Sequence, residues 1–213
     1  MLPSFSPIRS ALVFLLTGGL LWGCVSSKAP ATRFYVLNPL DPALRLVGNA
    51  DRKPPLTIEV VSLRLPQYLE RPQIVTRSSE IRLELAEFHQ WGGNLRKDMI
   101  RVIAKNLSQL LATPHISIFS HRPQASPDFR VDLEVMKFER DPDNQVRLSV
   151  RWCLSGGGDG KPLTTQITDL VSPTVQTGSD MEPTVAAMSM LLGDLSRIIA
   201  ETILKQAQGR AES

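Results

Sequence analysis

The chain has 213 residues, of which 42% are hydrophobic and 21% are charged. These values are typical of a soluble globular protein, and the length suffices for one domain with a substantial core. The net charge is +3, from 24 basic and 21 acidic residues, and there is no long basic run. So small an excess does not indicate a nucleic-acid partner.

The first 23 residues have the organisation of an export signal. A short leader with one positive charge, Arg9, precedes an apolar stretch that ends at Leu21–Trp22–Gly23–Cys24. The stretch is too short and too interrupted by glycine for a spanning helix, but it suits the apolar region of a signal peptide. Its end resembles the bacterial lipobox, in which a small residue directly precedes a cysteine that becomes acylated.

The lipobox resemblance implies cleavage between Gly23 and Cys24. It implies a signal peptide over residues 1–23 and a lipidated tether over residues 24–32. Val25 follows the cysteine in place of the aspartate that commonly retains such proteins in the inner membrane, so the resemblance implies the periplasmic face of the outer membrane in a Gram-negative bacterium. Two or more acyl chains hold a protein firmly on a bilayer. The alternative is an uncleaved anchor with an incidental cysteine.

Cys153 is the second of the two cysteines. With Cys24 acylated, no intramolecular disulfide can form, even in an oxidising compartment. Cys153 lies in an alternating segment that favours a strand. Its thiol is either reactive or part of the core, and we expect a buried, inert cysteine.

The mature chain combines β-rich segments with two long amphipathic segments. Asn94 is the predicted N-cap of a helix over Leu95–Leu111, and Glu182–Pro183 opens a second helix whose apolar stripe continues to Ile203. Strands are predicted at Arg33–Leu37, Leu56–Leu65, Ile74–Arg77, Ile81–Leu85, His115–Phe119, Asp128–Arg140, Asn144–Ser155 and Leu163–Val171.

These elements predict an α/β fold with a single domain over residues 33–208. The expected architecture is a mixed sheet of five or six strands, rich in antiparallel pairs and packed by the two long amphipathic helices. Asp141–Asn144 has the composition of a hairpin turn. A disordered tail is predicted over residues 209–213.

The sequence lacks the common catalytic and nucleotide-binding motifs, so no catalytic site, cofactor or metal is predicted. The glycine-rich run at Gly156–Lys161 is interpreted as a hairpin tip, because no helix N-terminus follows it to meet a phosphate. Three further groups are assigned structural roles. The three histidines, His89, His115 and His121, lack metal-ligand spacing; Asp132, Glu134 and Glu139 are expected on a solvated sheet face; Met181, Met188 and Met190 are expected in the core.

The segment between Pro66 and Pro72 has the features of a rigid recognition loop. The two prolines restrain a short run that carries Tyr68, Glu70 and Arg71. A rigid loop loses little entropy on binding, and Tyr and Arg are favoured contact residues. The alternative is a loop that folds over the sheet edge with Tyr68 packed and its charges solvated. The residues alone do not decide between the two.

This region is similar to the hallmark of the PqiC (YmbA-like) family, the ABC-type transport auxiliary lipoproteins. The resemblance spans essentially the whole mature chain. The matching segments are Leu65–Leu69, Arg71–Arg77, Leu85–Trp91, Phe34–Leu37, Val185–Ser189 and Leu195–Ala200. One departure is Gly92–Gly93–Asn94, where the family has a small residue, an acidic residue and proline. It leaves open the geometry at the entrance to the first helix.

The resemblance implies a non-enzymatic subunit of an intermembrane lipid transport system. The expected partner is a periplasm-spanning MCE-domain protein of an ABC-type transporter, with the lipoprotein assembled as a homo-oligomeric ring. The candidate partner surface is Tyr68, Arg71, Arg77 and Trp91. The alternative function is a free-standing periplasmic lipid-binding carrier or chaperone, which would need an enclosed apolar cavity. A lipid-anchored hydrolase is a third hypothesis, for which no nucleophile and base can be named.

Overall fold

The computed structural model describes residues 30–41, 55–118, 126–158, 160–176, 178 and 180–210. The predicted signal peptide, the cleavage site at Gly23 and the lipidation site at Cys24 lie outside the described residues, as does His121. All elements below belong to one unit, Thr32–Ser213.

Eight strands, two α-helices and one short 3₁₀ helix are found in these ranges. The strands are β1 (Arg33–Tyr35), β2 (Ile58–Arg64), β3 (Gln73–Ser79), β4 (Arg82–Trp91), β5 (Ile116–Ile118), β6 (Phe129–Arg140), β7 (Gln145–Gly156) and β8 (Pro162–Thr174). The helices are η1 (Gln67–Leu69), α1 (Leu95–Leu110) and α2 (Glu182–Gly209).

The eight strands form one mixed sheet that branches at β6. On one side of β6, β7 pairs antiparallel along almost its whole length, and β8 follows as the edge. On the other side, β2 pairs parallel with the first half of β6, while β3 reaches only its end. β5 flanks β2, and β4 and β1 extend from β3. The predicted fold class is confirmed. The sheet has eight strands where five or six were expected, because even the three-residue strands join it: β1 pairs with β4, and β5 pairs with β2.

The core lies between one face of the sheet and the two helices. Helix α1 packs on β2 and β5, and α2 packs on β6, β7 and β8. The strand residues directed into this layer include Phe129, Val131, Leu133, Val135, Val146, Leu148, Val150 and Trp152. Full burial of one such side chain stabilises the fold by about 1.5–3 kcal/mol. Neither helix, nor any other in the described ranges, is long and apolar enough to cross a bilayer.

Helix α1 begins at the predicted position. The Asn94 side chain accepts a hydrogen bond from the Lys97 backbone N–H at 3.1 Å, which satisfies one of the free donors of the first turn. A side chain at Gly93 would meet nothing within 4 Å. The Gly92–Gly93–Asn94 sequence therefore provides an ordinary N-cap.

The structure overturns the prediction of a solvated Glu139. The register between β6 and β7 shifts between Val135 and Lys137, which makes Met136 an extra residue and places Phe138 in the core and Glu139 on the opposite, outer face. Glu139 is nevertheless only 2% exposed, because Tyr68 and Arg77 cover its carboxylate. Asp132 and Glu134, before the bulge, keep the partly solvated positions that the sequence predicts.

Cys153 and Met190 are also placed differently from expectation. Trp152 points into the core, so Cys153 lies half-buried on the opposite, outer face, with its sulfur 3.6 Å from the Thr165 hydroxyl. The prediction of a core cysteine is wrong because neighbouring strand residues face opposite ways. Met188 is in the core, whereas Met190 is on the exposed side of α2.

The glycine-rich run forms the predicted hairpin tip between β7 and β8. The Gly156 N–H donates to the Lys161 carbonyl at 3.1 Å, and Gly160 has a φ of +65°. A Cβ at Gly157 would lie 1.2 Å from the Pro127 carbonyl oxygen, so a side chain at this position would displace the backbone. The glycines therefore serve a turn and a close backbone approach.

Candidate partner-docking site

The loop between β2 and β3 runs beside β6, in the space between the part of β6 that pairs with β2 and the end that pairs with β3. Pro66 precedes η1 in an extended conformation, and its carbonyl accepts from the Leu69 N–H at 2.9 Å. Pro72 ends the loop, and its carbonyl accepts from the Trp91 N–H at 2.7 Å. The first bond closes the turn of η1 and the second joins the end of the loop to β4, while Leu69 is buried beneath the loop.

A buried carboxylate lies under this loop. Glu139 Oε2 accepts from the Tyr68 hydroxyl at 2.7 Å and from the Phe138 N–H at 2.9 Å. Its other oxygen, Oε1, accepts from Arg77 Nε at 2.9 Å and from Arg77 Nη2 at 2.8 Å. Four donors therefore compensate the cost of removing this charge from water. We refer to Tyr68, Arg77, Phe138 and Glu139 as the Glu139 cluster.

The Glu139 cluster alters the titration of two of its members. Burial and the hydrogen bond to Glu139 raise the pKa of Tyr68 well above its usual value of 10.0. The hydrogen bond to Glu139 likewise raises the pKa of Arg77. In both cases the protonated form is the one that donates to the carboxylate, so the cluster remains intact throughout the physiological pH range.

The alkaline titration of the two tyrosines tests this geometry. Tyr35 and Tyr68 are the only tyrosines in the sequence, so a Tyr35→Phe protein reports Tyr68 alone. We expect its tyrosinate absorbance to rise well above pH 10, since the native state holds the phenol proton. The free energy of unfolding should fall as the pH rises above 10, because the unfolded chain releases this proton first. Tyr68→Phe should reduce that fall, and ionisation near pH 10 in native Tyr35→Phe would contradict the cluster.

Arg71 points away from the Glu139 cluster and is exposed. It borders a groove of about 250 Å³ between the loop and the start of α1. The groove is also lined by Glu70 and Arg96, which form an ion pair, and by Gly93 and Asn94. Two cations and one anion give this groove a positive balance.

The structure separates the four predicted contact residues. Trp91 is buried in the core, and its side chain anchors the end of β4. Tyr68 and Arg77 are half-buried and engaged by Glu139. Of the four, Arg71 presents an exposed charged group. The partner surface stays a prediction, and the loop that carries Arg71 is its most accessible part.

A second polar cluster joins β1, β4 and the start of α2. Asp180 accepts from Arg33 Nη1 and from the Tyr35 hydroxyl, each at 2.9 Å. The same hydroxyl lies 2.7 Å from His89 Nδ1. The Glu182 N–H and the Tyr35 hydroxyl lower the pKa of Asp180. This cluster fixes β1 at the sheet edge.

The sequence did not predict the contacts within either cluster, since Glu139 and Asp180 lie far along the chain from their tyrosine partners. For Glu139 a signal exists for the face of its side chain, although none exists for its burial. The inward apolar positions of β6 are spaced by two as far as Val135, but the next is Phe138, three residues on. Such a break in alternation indicates a bulge. For Asp180 we find no local signal.

Comparisons with known proteins place the chain in a family. A family model described as "ABC-type transport auxiliary lipoprotein component" matches residues 35–200, which include the loop, the Glu139 cluster and most of both helices. The chain belongs to this family. A search of curated proteins found no match.

Two solved structures support the fold of this ABC-type transport auxiliary lipoprotein. A crystal structure of a Xanthomonas campestris protein is 12% identical, covers 85% of this chain and 100% of its own, and has a TM-score of 0.68. A second crystal structure, of an uncharacterized protein, is 19% identical, covers 82% of this chain and 99% of its own, and has a TM-score of 0.64. At these identities the likeness shows a common fold.

Proposed function

We propose that this chain is an outer-membrane lipoprotein that acts as the periplasmic docking subunit of an intermembrane lipid transport system. Cys24 would carry the acyl chains, and the folded domain would receive the end of an MCE-domain protein linked to an inner-membrane ABC transporter. The observation that carries the proposal is the family match over residues 35–200. A transport auxiliary component contributes binding rather than chemistry.

The loop between β2 and β3 supports a docking role. It is closed internally by the turn of η1, bonded to β4 at Pro72 and held from beneath by the Glu139 cluster, so little conformational entropy remains to be lost on binding. Its exposed charge, Arg71, lies beside the groove formed with Glu70 and Arg96. Such a surface fits an acidic or carboxylate-bearing segment of the partner.

The proposal includes several copies arranged as a ring around the end of the partner. A ring would multiply the Arg71 contact, and repeated weak contacts give high avidity when their geometry matches. The mass of the assembly extracted in mild detergent tests this part independently of the partner.

Affinity purification from gently solubilised membranes tests the docking function. We expect the wild-type lipoprotein to recover an MCE-domain protein together with its permease. Arg71→Glu should lower that recovery about tenfold, the effect of losing and reversing one contact charge. Arg64→Glu is the matched control, because Arg64 is an exposed arginine at the end of β2 that pairs with Glu134 and does not line the groove.

The outcomes separate docking from lipid carriage. Recovery of copurified lipid without an MCE-domain protein would favour the carrier and contradict docking. Equal loss of partner in Arg71→Glu and Arg64→Glu would show that net charge, and not this loop, governs binding.

A further inference from the structure

An apolar patch lies where the folded domain begins. Side chains alternate along the first residues of the domain: Tyr35 and Leu37 turn toward the fold, while Phe34 is 66% exposed and Val36 is 55% exposed. A solvated sheet edge normally carries polar residues at such positions. We define Phe34, Val36, Ala186 and Met190 as the β1 patch.

Helix α2 extends this patch. Phe34 and Val36 line a groove of about 470 Å³ together with Val185 and Ala186 of the first turns of α2. Met190 is four residues after Ala186, on the same side of the helix, and is also exposed. The strand and the helix thus present apolar groups from two elements to one region of solvent.

The border of the patch is polar but nearly balanced in charge. Arg33 is paired with Asp180 at 2.9 Å, and Asn38, Ser189 and Glu182 line the groove. Because no excess of positive charge is present here, attraction to an anionic partner does not explain the patch. Its complement is an apolar or zwitterionic surface.

The length of the tether indicates what this surface is. Arg33 is nine positions after Cys24, so a fully extended tether reaches at most about 30 Å. Acyl chains on Cys24 would therefore hold the β1 patch close to the lipid headgroups at a high effective concentration. Under that condition a modest apolar area is enough to favour one orientation.

We infer that the β1 patch lies on the phospholipid bilayer and orients the domain on the membrane. This inference rests on the proposed acylation of Cys24. The tip of the β3–β4 hairpin is then directed elsewhere, since Ile81, in the turn just before β4, precedes His89, which pairs with β1, by eight residues. At strand spacing that separation is about 26 Å.

Photo-crosslinking of the full mature lipoprotein tests the orientation. The protein is reconstituted in phosphatidylcholine vesicles that contain a phosphatidylcholine with a photoreactive headgroup. Crosslinked peptides are then quantified by mass spectrometry. We expect the peptide with Phe34 and Val36 to be labelled about tenfold more than the peptide with Ile167 and Val171, the ratio that about 1.4 kcal/mol of orientation free energy produces.

A matched pair of variants separates the patch from general hydrophobicity. Ile167 and Val171, on the outer sheet face, are 55% and 45% exposed, close to the values for the patch residues. Phe34→Ser with Val36→Ser should lose preferential labelling of the neighbouring residues of β1 and α2. Ile167→Ser with Val171→Ser should retain it.

Each remaining outcome overturns the inference in a recognisable way. Even labelling of all surfaces on an acylated protein would refute the orientation while the anchor stands. If the β1 patch were still labelled in detergent, with one crosslinked lipid per chain, the patch would bind a single lipid molecule and would not lie on a bilayer. A bare Cys24 thiol in the intact mass would overturn both the orientation and the proposed anchor.

Discussion

Replacing Arg77 by leucine is expected to lower the free energy of unfolding by about 3 kcal/mol, the cost of leaving a buried charge without its ionic partner. Arg77 supplies two of the four hydrogen bonds to Glu139, and its side chain is only 18% exposed. Chemical denaturation of the two proteins, with equal slopes against denaturant, measures the difference.

Two further variants give this prediction its controls. Arg82→Leu removes an exposed arginine of the same hairpin, whose contact with Glu84 is 3.5 Å long, and should cost less than about 1 kcal/mol. Arg77→Leu combined with Glu139→Leu should recover part of the loss, because no unpaired charge remains buried. If the double variant lost more unfolding free energy than the two single variants lose together, the compensation of charge at Glu139 would be disproved.

The cluster has a functional consequence as well as a structural one. Glu139 holds Tyr68 on the loop and Arg77 on β3, so it connects the loop that lines the Arg71 groove to the sheet. Arg77→Leu should therefore weaken partner recovery even though Arg77 itself is half-buried. A residue that acts in this way positions the loop.

Local patterns in the sequence predict most of the elements. The alternation in β6 and β7, the apolar stripe of α2 and the cap at Asn94 are each encoded within a few residues, and the structure has all of them. The limits of β4 were not predicted: it continues to Trp91 because β3 and β1 both pair with it there. That pairing depends on residues far away in the sequence.

The candidate site was less accessible to sequence reasoning for the same physical reason. The motif around Tyr68 and Arg77 identifies a segment, but burial decides which atoms face a partner. Glu139 lies over sixty residues from both. The strand pattern, with its break after Val135, places Glu139 on the outer sheet face, but nothing near it in the sequence indicates that Tyr68 and Arg77 cover it there.

The largest effect on the cellular role is expected from Cys24→Ala. Without the thiol no acyl group can be attached, and processing at Gly23–Cys24 should stop, since in this class of precursor acylation precedes cleavage. The expected product keeps residues 1–23 and incorporates no palmitate. Intact mass and radiolabelled palmitate in a Gram-negative host measure both properties.

Cys153→Ala is the matched control for Cys24→Ala. Cys153 lies half-buried on the outer sheet face, far along the chain from the processing site, so its loss should leave acylation, cleavage and membrane fractionation unchanged. Two acyl chains hold a protein on a bilayer where one does not, because each buried methylene contributes about 0.8 kcal/mol. If Cys24→Ala yielded the same mature fragment as the wild type, the anchor would have another chemical origin, and neither the tether nor the orientation of the β1 patch would follow.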